Sequence, residues 1–440
     1  MNDDFSIKYS QAFENLENDI KCRKENGKIT AMGYTSNLDL ICDFDVERLN
    51  ELLKLHWKYD PDRELKPAKL IKTTEELLET IVYFCINGIG GEVDIENTDE
   101  LLGLFEFKKG MGGTCVQAAL ALAEIGAESL VHLTDDSKEV CELLDSPYVY
   151  VAGDNGKLVH SLELRQHNDQ ELHCIIQFQK GGIVRIADKE WEIPTSNRLI
   201  LTKITVNETV PFDERYFNWI EKNADRVSSN LLSSFNCIAD KNVVKERLNY
   251  LAGHVKRYHE RNPDGIVFYE DAHYHSKEIR EMVLKEVYPM SDIVSMNEEE
   301  LAYTVKELYE EKLDKEDISS CIDAVRRLIN DLHVKKGIVV HTKDYGVYIG
   351  KTLPIDIESG IMYGNIIATA KAINGWYGTK EQIKEVIKLE MSTKGLKYKK
   401  EIEEKEYAEE IIMVPSRYVD RPKYTIGLGD SFVGGLQMCF

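Results

Sequence analysis

The 440-residue chain is longer than one ordinary domain, and its 43% hydrophobic content is that of a globular protein. A formal charge of −22 excludes ordinary nucleic-acid binding, because a phosphate backbone would be repelled, but a small phosphorylated ligand remains open to local cations and amides. No apolar run reaches the ~18 residues of a membrane span, Met1-Asn2-Asp3-Asp4-Phe5 is acidic rather than signal-like, and the nine scattered cysteines form no CxxC pair, so a soluble, reduced, cytoplasmic protein without disulfides or zinc is expected.

Residues 1–28 read as a charged amphipathic helix, followed by a short strand, Ile29 to Tyr34, that closes at Gly33. Thr35-Ser36-Asn37-Leu38-Asp39 reads as a loop. Apolar spacing predicts helices over 45–58 and 73–87, then glycine breaks at Gly88–Gly91 and Gly110–Thr114, the second opening a small-residue helix from Val116 to Ile125. Strand patterns follow at 149–151, 173–178 and 198–202. From about residue 212, candidate strands at 231–235, 265–269, 293–296 and 337–341 alternate with helical patterns at 241–260, 275–289 and 317–332, the signature of βαβ units and a parallel sheet. The Lys/Glu-dense stretch 380–411 reads as a solvated helical face. The outline is a large α/β body with an early β-rich insertion.

Near the C-terminus, Tyr424-Thr425-Ile426-Gly427-Leu428-Gly429-Asp430-Ser431 leads from a β-like run into glycines and then a helical pattern. Amides at Gly427 and Gly429 and the positive end of a helix starting near residue 430 would make an anion site, with Asp430 beside it to accept a hydroxyl proton. The same residues also suit a capped helix start, since Asp is a favoured N-cap. Asn37 and Asp39 flank one extended position and suit sugar hydroxyls or a turn. Asn297 and Glu300, spaced i, i+3 at a helix start, suit a capping box or a water-mediated Mg²⁺ site. Glu270 closes a strand-like run, where an acid faces the ligand crevice of an open α/β sheet. Arg198 is the best-suited cation for phosphate, with Arg185 and Lys180 behind it. Neither a Walker A motif nor a protein-kinase glycine loop is present. Ten residues follow Asp430, so the last helix is expected to be either clipped or docked as a short cap.

Gly427 to Asp430 resembles the glycine-rich signature of ribokinase-like sugar kinases. More narrowly, the chain resembles the ADP-dependent glucokinase and phosphofructokinase family, through ordered matches that span about residues 30 to 435. They run from Gly33–Asp39 through Gly91-Glu92, Met111-Gly112-Gly113-Thr114, Asn197-Arg198, Phe268-Tyr269-Glu270 and Asn297–Glu300 to Val340-His341-Thr342. One departure is Phe268, where the family pattern carries histidine.

The resemblance implies a three-layer αβα domain with a mostly parallel central sheet and a smaller β-rich lid. The expected division is 1–44, 111–145 and 211–440 for the large domain, and 45–110 and 146–210 for the lid. It implies Asp430 as general base, the Gly427 and Gly429 amides with Arg198 for the phosphates, and Asn37, Asp39, Glu92, Gly112 and Gly113 for the sugar. His341 and Thr342 fall to the nucleotide, and Glu270, Asn297 and Glu300 to Mg²⁺. The implied donor is ADP, giving AMP, with ATP open from the residues alone. The acceptor is a hexose such as glucose, with fructose 6-phosphate as the alternative; Lys108 and Lys109 would serve a second phosphate and Glu92 would oppose one. A catalytically silent sugar- or nucleotide-binding relative is the other class of reading. A monomer is compatible with the resemblance.

Overall fold

The computed structural model of the protein describes residues 2–60, 62, 64–167, 170–420 and 422–440. Two large sheets organise these residues. The larger has ten strands and begins at one edge with Glu410–Pro415, Tyr345–Gly350, Gly337–His341, Ile293–Asn297 and Ile266–Glu270. It continues through Val227–Leu232, Ile29–Met32, Ser129–Val131, Val149–Ala152 and Leu158–Val159. Every pair from Gly337–His341 across to Val149–Ala152 is parallel, and the outer pairs are antiparallel. Parallel neighbours need long crossovers, which is why strands and helices alternate through this part of the chain.

Alternate side chains on the strands feed two cores. Ile266 and Phe268 join the helices Asn2–Glu25, Thr114–Ile125, Ile357–Asn374 and Leu428–Leu436 on one face. Val267 and Tyr269 join Glu214–Lys222, Lys241–Arg261, Lys277–Met290, Glu298–Tyr309 and Ile318–Asp331 on the other. The result is the expected three-layer arrangement with a mostly parallel sheet. Ile318–Asp331 illustrates the local logic: Ile318, Cys321, Ile322, Val325 and Leu328 form one buried stripe, and the Asp317 side chain caps the first turn. Ile357–Asn374 is buried on nearly all sides, so its sequence lacks the amphipathic period that marks the others.

The smaller sheet has six strands in the order Leu70–Ile71, Gly91–Ile95, Asn197–Lys203, Leu172–Phe178, Asn37–Cys42 and Phe107–Gly112. Two of these differ from the sequence expectation. The supposed loop around Asn37 and Asp39 is the start of a strand, with Leu38 and Leu40 buried, because the two polar side chains bond to each other instead of turning the backbone. The supposed glycine break at 110–113 is the end of the strand Phe107–Gly112. Asn37–Cys42 thus lies in the smaller sheet, ahead of the expected boundary at 45, while Val149–Ala152 lies in the larger one, beyond the boundary at 146. Val227–Leu232 starts ahead of its expected position at 231, its pattern hidden by the buried polar residues Ser229 and Asn230. The stretch 380–411 holds the helices Lys380–Val386 and Thr393–Glu403, with Ile383, Val386, Tyr398 and Ile402 buried, and runs into the edge strand Glu410–Pro415.

A buried polar cross-tie joins the two sheets where the chain passes between them. Ser36 N–H donates to Thr134 Oγ1 at 2.9 Å, Thr134 Oγ1 donates to Asn207 Oδ1, and Asn207 Nδ2 returns to the Ser36 carbonyl at 3.2 Å. Asp135 accepts from the Glu171 amide, and Glu171 accepts from the amide and hydroxyl of Thr205. No helix among the described residues is long and apolar enough to cross a membrane.

Candidate active site

Gly427 opens the helix Leu428–Leu436 from the left-handed region, at φ 63°. A side chain there would collide with Gln117 and Lys371, so only glycine fits. No side chain caps this helix, which leaves the first-turn amides for a ligand. Asp430 is in the first turn rather than at the cap, so it is free of the capping role that its sequence position also suits. Gly113 opens a second helix, Thr114–Ile125, also without a side-chain cap, at φ 101° and packed against the Thr35 carbonyl. The Thr114 side chain, at the start of that second helix, is among the groups that favour the ionised form of Asp430, in the first turn of the other uncapped helix. Burial raises the Asp430 pKa, against the charges of Lys371, His341 and Arg198 and the bond from Thr114.

The residues expected to hold the sugar, Asn37, Asp39, Glu92 and Gly112, lie together on the smaller sheet, and the charge of Asp430 acts on Asp39. Asn37 Nδ2 donates to Asp39 Oδ1 at 2.7 Å, and Asn37 pairs in register with Gly112. Burial raises the Asp39 pKa, against His173, Asn37 and Lys371, while the charge of Asp430 adds to the rise. His173 stands 3.8 Å from Asp39 and 3.7 Å from Glu171. Burial disfavours its charged form, but Glu171, Asp39 and Glu92 outweigh this and raise its pKa. Glu92 accepts from Thr202 Oγ1 at 2.6 Å and lies 3.6 Å from His275, which belongs to the larger domain. Those two bonds overcome burial and lower the Glu92 pKa.

Glu270, Asn297 and His341 lie at the C-terminal ends of adjacent parallel strands, the edge where open α/β sheets hold ligands. His341 Nε2 is 3.0 Å from Glu270 Oε1, and its ring stacks on Phe432 beneath Gly429. Glu270 Oε2 is buried without a partner. Asn297 and Glu300 form a complete capping box. Burial and the charges of Glu270 and Asp271 raise the Glu300 pKa well above its ordinary value. Among the described residues no three His, Cys, Asp or Glu side chains converge to ligate a metal directly. The orphaned Glu270 oxygen and the mutual repulsion of Glu270 and Glu300 fit a hydrated cation held through waters. Phe268 is fully buried and packs near Phe440, so the departure at this position is a core residue.

Thr342, one residue beyond His341, lines a cavity of about 660 Å³ together with Lys343, Tyr345, Ser392, Lys394 and Tyr418. Arg198 is exposed on the smaller sheet, and its charge lowers the Asp430 pKa from across the cleft. Three of the other cations singled out in the sequence have carboxylate neighbours on the surface. Arg185 is bound between Glu47 and Glu190, Lys108 faces Asp43, and Lys109 faces Glu139.

The conserved region of ADP-specific phosphofructokinases and glucokinases matches residues 28–435. The chain belongs to this family. It is 27% identical over 432 residues to the ADP-dependent glucose/glucosamine kinase of Pyrococcus furiosus, with 91% of each chain covered. It is 24% identical over 443 residues to the ADP-specific phosphofructokinase of Thermococcus kodakarensis, covering 94% of this chain and 95% of the other. The fold is shared with the last common ancestor of ADP-dependent phosphofructokinases from Methanosarcinales, at a TM-score of 0.78 and 21% identity over 100% of this chain and 98% of that one. An ADP-dependent kinase in complex with fructose-6-phosphate and ADPbetaS superposes with a TM-score of 0.76 at 20% identity, over 98% and 97% of the two chains. As a member of the family, the chain is an ADP-dependent sugar kinase, a phosphotransferase acting on an alcohol group.

Within this family member, sequence reasoning missed Lys371, Gln117 and His173, and named Thr114 only as the end of the paired-glycine loop. Lys371 Nζ lies 2.5 Å from Gln117 Oε1 and 3.3 Å from the Gly427 carbonyl, partners 254 and 56 residues away in sequence. A lone lysine in the apolar run Ile366 to Ala372 was the available signal, since an ammonium is rarely buried without purpose. His173 offered none beyond its place in a strand pattern.

Proposed function

We propose that the chain transfers the terminal phosphoryl group of ADP to a hydroxyl of an unphosphorylated hexose such as glucose, releasing AMP. The observation that carries this reading is the position of Asp430, in the first turn of an uncapped helix and electrostatically coupled to Asp39 on the sugar side. Asn37, Asp39, Glu92 and His173, with the backbone of Gly112 and Gly113, hold the sugar. Asp430 accepts the hydroxyl proton as the oxygen bonds to the β-phosphorus and the bond to the bridging oxygen breaks, leaving AMP. The Gly427 and Gly429 amides and Arg198 stabilise the charge on the moving phosphoryl group. The nucleotide occupies the cavity that starts at Thr342, with His341 beneath the glycine turn. Glu270, Asn297 and Glu300 would hold Mg²⁺, which would supply charge neutralisation at the phosphates. The smaller sheet acts as a lid that excludes water, the competing acceptor.

Glucose is favoured over a sugar phosphate because acids ring the sugar side. Asp39 and Glu92 both lie there, while Arg185 is bound between Glu47 and Glu190. One observation favours the second reading, fructose 6-phosphate: His173 and His275 are both held toward their charged forms. A panel of acceptors with Mg²⁺ and either ADP or ATP decides. AMP and glucose 6-phosphate formed in equal amounts from ADP and glucose support the proposal. Turnover of fructose 6-phosphate without turnover of glucose transfers it to the second reading. No turnover with any pair, alongside thermal stabilisation by nucleotide, identifies a silent binder.

A further inference from the structure

Helix Ile357–Asn374 carries one lysine into the interior directly under the glycine turn. Lys371 is 2% exposed. Its ammonium contacts Gln117 Oε1 at 2.5 Å and the Gly427 carbonyl at 3.3 Å, and lies 4.3 Å from the centre of the Tyr377 ring. The Gly427 carbonyl also accepts from the Ser431 amide and hydroxyl, at 3.1 and 2.9 Å. No carboxylate lies within ion-pair distance of Lys371 among the described residues, yet its charge acts on both Asp430 and Asp39. Burying an ammonium without a contacting carboxylate is costly, and a packed apolar residue would serve the fold better.

We propose that Lys371 is a positioning residue for phosphoryl transfer: it clamps the Gly427 carbonyl to Gln117 beneath the glycine turn and supplies the positive charge shared by the carboxylates of Asp430 and Asp39. The inference rests on the reading of Asp430 as the base. The clamp fixes the left-handed turn whose following amides face the phosphates. The charge favours the ionised forms of Asp39, on the smaller sheet, and Asp430, on the last helix, against the burial that opposes them.

The groups that face this ammonium are Asp39 from the smaller sheet, Asp430 from the last helix, and Tyr377; His341 and Arg198 stand behind Asp430. Burial pulls the Lys371 pKa down to about 8, against the two carboxylates. Its charge is therefore present below that pH and lost above it. Turnover should fall as pH rises through about 8. Removing the lysine should abolish that fall and move the acidic limb upward, because Asp430 loses the largest charge that favours its ionised form.

The test is the pH dependence of kcat and KM in the wild type, Lys371→Met and Lys371→Arg, with melting temperatures alongside. The expected result for Lys371→Met is a fall in kcat of about 100-fold, little change in the KM for ADP, an acidic limb at higher pH, and no loss of thermal stability. Lys371→Arg should recover most of the rate. Wild-type rate and pH profile in Lys371→Met would overturn the proposal, as would a folded Lys371→Arg no more active than the methionine variant. If Lys371→Met does not fold, the wild type decides: an alkaline fall near pH 8 supports the clamp, and a flat profile overturns it. A fully active Asp430→Asn, by contrast, would overturn the base assignment and this inference together.

Discussion

At Asp430 two opposing effects set the chemistry. Burial raises the carboxyl pKa and makes it a better proton acceptor, while Lys371, Thr114, His341 and Arg198 keep the ionised form accessible. Glu92 is tuned the other way, toward permanent ionisation, by His275 and Thr202. As an acceptor for sugar hydroxyls it should govern the sugar and not the nucleotide. Glu92→Gln is expected to raise the KM for glucose about tenfold, equivalent to ~1.4 kcal/mol, with the KM for ADP unchanged; initial-rate kinetics checks this. Residues of this kind were legible in sequence when their partners are local. Asn37 with Asp39 and Asn297 with Glu300 sit two and three positions apart and act together in the fold. Lys371 and Gln117 were illegible because their relation exists only after two distant helices pack.

At the scale of elements, helix starts carry both stability and chemistry. The helix Glu298–Tyr309 is closed by its capping box, so Asn297 has a structural duty whatever its metal role. Asn297→Ala should cost about 1 kcal/mol of stability, read by denaturant unfolding, and should also raise the Mg²⁺ concentration needed for half-maximal rate. A second inter-element tie is purely structural. Glu221 receives Arg257 at 2.7 and 2.8 Å and lies 2.9 Å from His254, joining Glu214–Lys222 to Lys241–Arg261. Burial opposes its ionisation, but these bonds win and lower its pKa from 4.5 to about 2. A carboxylate depressed in this way stabilises the fold above pH 4.5, and the contribution is lost as pH falls toward 2. Glu221→Gln should thus melt below the wild type at neutral pH, with the gap closing on acidification through that window. Strand and helix order in the C-terminal half was readable because each crossover repeats the same pattern. In the smaller sheet the strands Leu172–Phe178 and Asn197–Lys203 were readable too, but Asn37–Cys42 and Phe107–Gly112 were not, because Asn37, Asp39, Gly110 and Gly112 are turn-formers by composition and become strand residues only through their partners across the sheet.

At the scale of the molecule, the two sheets meet where the chain crosses between them, and the proposed site draws residues from both sides of that crossing. The buried cross-tie of Ser36, Thr134 and Asn207 fixes one side, and Glu92 with His275 spans the other. The residues proposed for the sugar come mainly from the smaller sheet, while those proposed for the metal come from the strand ends of the larger sheet and the helix Glu298–Tyr309, and the proposed base from the helix Leu428–Leu436. On this proposal neither sheet holds a complete site. Transfer thus depends on bringing Asp39 and Asp430 to the same substrate, and Asp430 is the atom-level hinge of the account. The most direct measurement is AMP formation from ADP and glucose by the wild type and by Asp430→Asn, with glucose binding measured on both by calorimetry. The account predicts turnover by the wild type, none by the variant, and similar glucose affinity in the two. Turnover retained in Asp430→Asn would contradict it.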